Sequence, residues 1–257
     1  MPFTLAHPAA VLPLRGLRHL RSVPLMVGAM APDTPYYFPG RLQHAMPETH
    51  RFEDSFGSCL LFGYLLLLAL FVLRRPLTAL LAPRARWLCL HALAPFSRPR
   101  EWLWAAPALL LGIWTHLLWD SFTHSDGWMV HRVAALSAPV NFAGYSGPLC
   151  HLLQYLSSVV GLTILAWWYL RLPAPARPRP DPHATRTSSR PVLLLIAAAA
   201  GLIASVQAIE IHYRAASFYR TIDVFLTHGI TWFAVLYLIA GTIVTLEHDQ
   251  ERGALRL

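Results

Sequence analysis

Apolar residues in this chain are gathered into long runs rather than spaced three or four apart or alternated, the patterns of half-buried helices and strands. Runs over 56–73, 102–119, 148–170, 191–209 and 224–246 come close to the roughly 20 residues that carry a helix across a bilayer. They predict an all-α fold, a polytopic membrane helical bundle of about five transmembrane helices forming one membrane domain over 1–257. Arg74 and Arg75 end the first run, and Trp167, Trp168 and Tyr169 close the third as an interfacial aromatic belt. Between the first two runs, residues 76–100 hold shorter apolar stretches broken by Arg84, Arg86, Arg98 and Arg100. Arginine is costly at the bilayer centre, so this segment reads as an interfacial helix. Residues 1–57 are the least hydrophobic large block and predict an N-terminal helical and loop cap. A short amphipathic helix is expected over 9–20, after Pro8, and a second over 23–31, stopped by Pro32. A Pro- and Arg-rich linker covers 171–190, and there is no internal repeat.

Composition agrees with the pattern. Only 13% of residues are charged against 55% hydrophobic, about half the charge of a soluble domain. The net charge of +8 comes wholly from arginine. These arginines cluster between the apolar runs, where the positive-inside rule and anionic headgroups place them, and not along one basic face, so no nucleic-acid partner is expected. Thirteen arginines lie in 74–101, 171–190 and the tail, against eight elsewhere. That bias puts the N-terminus outside and the C-terminus in the cytoplasm. Cys59, Cys89 and Cys150 form no CxxC pair and read as small apolar residues. The first residues lack the basic start of a signal peptide, so insertion is expected to rely on internal spans.

The sharpest chemical signal ends the second run. His116, Asp120 and His124 recur every four residues along one helix face. A histidine and a carboxylate one turn apart can share a metal ion, the geometry that makes HExxH a zinc site. The competing reading is polar residues solvated at a helix end, which fits His124 and Asp126 better than His116 and Asp120, set among LLLGIWT and LLW. With two spans between them, the N-terminal block shares a side with this helix end and supplies His7, Asp33 and His50. Singly, these read as an ordinary surface histidine, a turn residue and another surface histidine. In the third run, His151 and Gln154 are candidates to orient ligands or contact substrate, or else to hold helices together. His228 is a weaker candidate inside the fifth run.

The strings MPFTLAHPAAVLPL, VGAMAPDTPYYF and GIWTHLLWDSFTHSDGW, with HLLQYLSSVVGL, resemble a bacterial membrane family known as domain of unknown function 4184. More distantly, the order His, Pro-Asp, His, HxxxD is similar to inner-membrane proteins described as metal-dependent hydrolases with a LexA-binding label, and to the zinc-dependent phospholipase C and P1-nuclease fold. That resemblance implies His7, Asp33, His50, His116 and Asp120 as ligands for one or two ions of zinc or another divalent metal. His124 would then act as general base or orienting residue. Two functions follow. One is a membrane-embedded metal-dependent hydrolase acting on a lipid or phosphodiester at the membrane face. The other is a non-catalytic membrane scaffold or transport-related protein. The bilayer is the expected partner, and the sequence leaves the oligomeric state open.

Overall fold

A computed structural model describes residues 3–17, 20–38, 40–142, 145–173, 190–215 and 218–254. The chain opens on 3₁₀ helix over Thr4–Gly16 where a short α-helix over 9–20 is expected. Pro8 and Pro13 lie inside it. Neither has an N–H to give, so a regular α-helical ladder is not available. Helix α1 (Ser22–Gly28) and a second 3₁₀ turn (Ala31–Tyr37) replace the single helix expected over 23–31. Pro32 lies in the first turn of that second segment, where its missing donor costs nothing. Then come α2 (Gly40–Ala45), a 3₁₀ turn (Glu53–Phe56) and α3 (Ser58–Val72). The arginine-interrupted stretch forms α4 (Arg74–Ala79), α5 (Pro83–Leu93) and α6 (Pro99–Leu103).

Helix α7 (Ala105–Thr123) follows, then α8 (Ala134–Ser137), and the strands β1 (Pro139–Phe142) and β2 (Tyr145–Pro148), which pair antiparallel with Pro139 opposite Pro148. The chain continues through α9 (Leu149–Arg171), α10 (Arg190–Ala215) and α11 (Phe218–Ala254). The all-α class holds, with the β1–β2 hairpin as its small departure. Among the described residues, four helices are long and apolar enough to cross a membrane: Pro99–Thr123, Leu149–Arg171, Arg190–Tyr213 and Arg220–Gln250. The first expected span, 56–73, is realised as α3, with 15 residues. At 1.5 Å per residue such a helix reaches about 22 Å, short of the ~30 Å hydrocarbon core. Of the expected 171–190 linker, residues 174–189 lie outside the described residues.

The chain divides into two compact units: 1–67 with 98–172, and 68–97 with 173–257. In the first, α1 crosses α7 at glycines on both sides. A Cβ on Gly28 would run into the main chain of Leu109, and one on Gly112 into that of Leu25. Leu25 and Ala29 pack there with Val11 and Ala108, while Ala31, Cys59, Phe62 and Ile113 form a neighbouring core. Helix α9 lies against the opening 3₁₀ segment, and the Phe3 N–H donates to Ser158 Oγ at 2.9 Å. In the second unit, α10 and α11 pack along each other, and α4 seats on α11. There the Tyr237 hydroxyl donates to the Leu77 carbonyl at 2.9 Å, and Leu80, Ile196 and Tyr237 share a core.

Candidate metal centre

The α1–α7 crossing sets the orientation of His116. It brings the Ala29 carbonyl 2.9 Å from His116 Nδ1. A carbonyl only accepts, so Nδ1 carries the proton and Nε2 presents its lone pair. Nε2 lies 3.1 Å from Asp120 Oδ2, one turn along α7, and 3.5 Å from Asp33 Oδ1. His116 is fully buried and Asp120 nearly so.

Two threonines set the facing ligands. Asp33, at 0% exposure, accepts the Thr4 hydroxyl on Oδ2 at 2.6 Å. That fixes the carboxylate plane and leaves Oδ1 turned toward the histidines. Thr49 donates its hydroxyl to the Pro32 carbonyl at 2.8 Å. Its oxygen then accepts from His50 Nδ1, 3.1 Å away. His50 therefore also presents a lone pair on Nε2, 3.4 Å from Asp33 Oδ1 and 3.7 Å from Asp120 Oδ2. The segment holding Thr49 is pinned in turn by Cys59, whose thiol donates to the Thr49 carbonyl at 3.0 Å.

One ligand atom from each of Asp33, His50, His116 and Asp120 lies within 4.8 Å of every other, so the group can hold a metal ion. Asp33 Oδ1, His116 Nε2 and both Asp120 oxygens are buried without a hydrogen bond among the described residues. Lone pairs facing carboxylate oxygens in a dry interior are costly unless a cation stands between them, a proton or a metal ion. Two imidazoles and two carboxylates make a donor set suited to a divalent transition metal.

The remaining expected residues take different places. His7, on the opening 3₁₀ segment, is buried and stacks on His116 with ring centroids 3.9 Å apart. Its Nε2 is 3.5 Å from Asp120 Oδ1. Burial, first of all, lowers its pKa to about 3, so the ring is neutral and able to ligate. Burial opposes ionisation of Asp33, but the neighbouring His116 and the His50 imidazole outweigh it and hold its pKa at about 2. His124 ends α7 in extended backbone, its Nδ1 3.6 Å from Asp120 Oδ1, and its side chain reaches the surface at 20% exposure. Burial also lowers its pKa. His151 and Gln154 sit on α9, outside the four converging ligands, with Gln154 buried. His228 lies on α11 in the second unit and pairs with Gln207 at 2.8 Å.

Beside this cluster runs an apolar cleft of about 610 Å³, lined by residues of α7 and α9 with Ala10. Leu118, Phe122, Leu153, Leu156 and Val160 form its walls. Trp119 belongs to both places. It lines the cleft, sets its ring edge toward His7 with centroids 6.5 Å apart, and donates from Nε1 to Ser157 Oγ at 3.3 Å.

These features define a helical protein with membrane-length helices and a buried His/Asp cluster between its N-terminal segments and α7. The chain belongs to the family described as domain of unknown function 4184 (DUF4184), whose profile matches residues 1–246. No curated protein and no solved structure matches it.

Proposed function

We propose that this chain is a membrane-embedded, metal-dependent hydrolase that cleaves a phosphodiester, carried on a lipid, at the membrane face. The observation that carries this reading is the convergence of Asp33, His50, His116 and Asp120 ligand atoms within 4.8 Å, with their lone pairs turned inward. Zinc fits the mixed imidazole and carboxylate donors best. Such an ion, when bound, polarises a phosphoryl oxygen and brings the pKa of a bound water down to about 7. The protein's own groups supply the rest. Thr4, Thr49 and the Ala29 carbonyl hold three ligands in orientation. The water oxygen forms a bond to phosphorus, the ester P–O bond breaks, and the leaving oxygen departs with the electron pair and takes up a proton. His124, at the exposed rim, accepts the proton that the water loses. The neighbouring apolar cleft lies along two candidate spans, which favours a substrate with an acyl chain. The arginine bias favours an inner-membrane protein with this face outside.

The test is made on the full chain purified in detergent. Bound metal is measured by elemental analysis after zinc reconstitution, in parallel with hydrolysis of bis(p-nitrophenyl) phosphate and of phosphatidylglycerol vesicles. Wild type should retain metal and hydrolyse both, whereas His116→Ala and Asp120→Ala should lose metal and activity together. Metal-free wild type after reconstitution overturns the reading. Tight metal without hydrolysis assigns the cluster to a non-catalytic membrane scaffold.

A further inference from the structure

The opening 3₁₀ helix, Thr4–Gly16, starts beside the metal centre, where Thr4 bonds Asp33 and His7 stacks on His116. It then runs along α9. The Phe3 N–H meets Ser158, and a Cβ on Gly161 would lie 3.0 Å from the Ala6 carbonyl oxygen. Further on, the Arg15 guanidinium stands 5.5 Å over the ring of Trp168, in the last turn of α9. At about 2 Å per residue this helix covers about 26 Å. The chain returns along α7. The Leu20 N–H donates to the Leu17 carbonyl at 3.0 Å, and Arg21 Nε donates to Glu101 Oε2 at 3.0 Å, near the start of the span Pro99–Thr123. From there α1 crosses α7 at Gly112 and brings Ala29 to His116. Glu101 and His116 are about 22 Å apart along that span.

The end reached by Arg15 and Arg21 has the chemistry of a headgroup layer. Arg15, Arg21, Arg98, Arg100 and Arg171 are exposed there, around a buried Glu101. The Arg171 guanidinium stands 5.2 Å over the Trp167 ring, and Trp104 and Trp167 are 62% and 58% exposed. An exposed guanidinium is costly in hydrocarbon and is stabilised beside anionic headgroups, the level at which tryptophan also gathers. The backbone meets the complementary condition. Main chain that is not α-helical is tolerated at membrane depth only where protein covers it. Thr4, Ala6, His7, Pro8, Ala9 and Val11 are buried, and Pro8 and Pro13 bring no N–H to satisfy.

We propose that the chain from Phe3 to Asp33 is a re-entrant hairpin threaded through the membrane domain, with Arg15 and Arg21 held by anionic phospholipid headgroups of the leaflet opposite the metal centre. The N-terminal block then does not sit wholly on the metal-centre face. Its two arginines join Arg98, Arg100 and Arg171 and add to the positive charge of the cytoplasmic side in the orientation proposed above. A guanidinium pairs with a phosphate through two parallel N–H donors, so the lipid grips the hairpin at its far end while Thr4 and Ala29 hold metal ligands at the near one. The inference needs the spans and not the metal, so failure of the hydrolase reading leaves it standing.

Cysteine labelling reads the threading directly. Cys59 and Cys150 are buried and Cys89 is exposed, so full-length Cys89→Ser is the parent. In it, Gly16→Cys, Leu17→Cys, Arg98→Cys and Asp126→Cys are treated with a membrane-impermeant maleimide in right-side-out and in inverted vesicles. A Cβ on Gly16 meets nothing within 4 Å, and Leu17 is half exposed, so both positions accept the change. Positions 16 and 17 should label from the side that labels Arg98→Cys, opposite to Asp126→Cys. Labelling from the Asp126→Cys side overturns the hairpin, and so does labelling that appears only in detergent. For the headgroups, the thermal midpoint of chelator-treated protein in detergent is followed as phosphatidylglycerol or phosphatidylcholine is added. Wild type should respond at a lower concentration of phosphatidylglycerol, and Arg15→Gln should need about fivefold more of it. An equal response to both lipids, or an unchanged response in Arg15→Gln, overturns the headgroup contact.

Discussion

The orientation of the ligands depends on partners that are not ligands. Thr4 fixes Asp33, Thr49 fixes His50, and the Ala29 carbonyl fixes His116. Groups that orient a ligand in this way are worth about 10- to 100-fold in metal affinity. Thr4→Val and Thr49→Val should each weaken zinc binding by a factor in that range, read by competition with a chromophoric chelator, while Thr→Ser restores it. An unchanged affinity in both valine variants would show that the ligands hold themselves. The titrations of His7 and Asp33 also have a signed consequence for the chelated protein. His7 falls from 6.5 to about 3 on folding, so below pH 6.5 the unfolded chain takes up a proton that the folded one refuses. Asp33 falls from 3.8 to about 2, so its stabilisation is lost as pH drops through that interval. Both act in the same direction. The thermal midpoint of metal-free protein should fall steadily from pH 6.5 toward 3, and His7→Phe should flatten the upper part of that slope. A midpoint that rises with acid contradicts a neutral, buried His7.

Among elements, the decisive one is the α1–α7 crossing. Gly→Ala inside a helix ordinarily stabilises by about 1 kcal/mol. Here the added Cβ overlaps main chain at either Gly28 or Gly112, and overpacking of this kind costs about 1–3 kcal/mol. Gly28→Ala and Gly112→Ala should therefore lower the melting temperature and also loosen zinc, because separating the helices pulls Ala29 away from His116. A second element-level test concerns the cleft between α7 and α9. Leu156→Trp should lower kcat/KM on phosphatidylglycerol vesicles and leave bis(p-nitrophenyl) phosphate unaffected; equal loss on both would remove the cleft from substrate binding. Much of this scale was legible beforehand. The apolar runs located the long helices because membrane-length hydrophobicity is a strong local signal. The i, i+4 spacing placed His116 and Asp120 on one face because helical periodicity is local too. What escaped is decided partly by local chain chemistry and partly by tertiary packing. The prolines at 8 and 13 turned an expected α-helix into 3₁₀ helix. Helix α3 stops at 15 residues, short of a full crossing. The threonine supports gave no spacing signal, and the Ala29 carbonyl, being main chain, has no residue type to read.

At the level of the whole molecule, the four membrane-length helices among the described residues and the arginine bias make the proposed orientation testable. A protease-sensitive reporter fused to the C-terminus should be cleaved only after cells are opened, and one inserted at Asp126 should be cleaved from outside; the reverse pattern inverts the proposed orientation. The proposed ligands come from two distant stretches, Asp33 to His50 and His116 to Asp120. A nascent chain that has produced only the first stretch owns half a binding site and no partner for it. On the proposed reading, the cation therefore arrives late, after α7 has emerged and docked, and is drawn from whichever compartment that face meets. Cells starved of zinc should accordingly accumulate full-length, inserted protein that lacks metal, and supplying the ion afterwards should complete it without new synthesis.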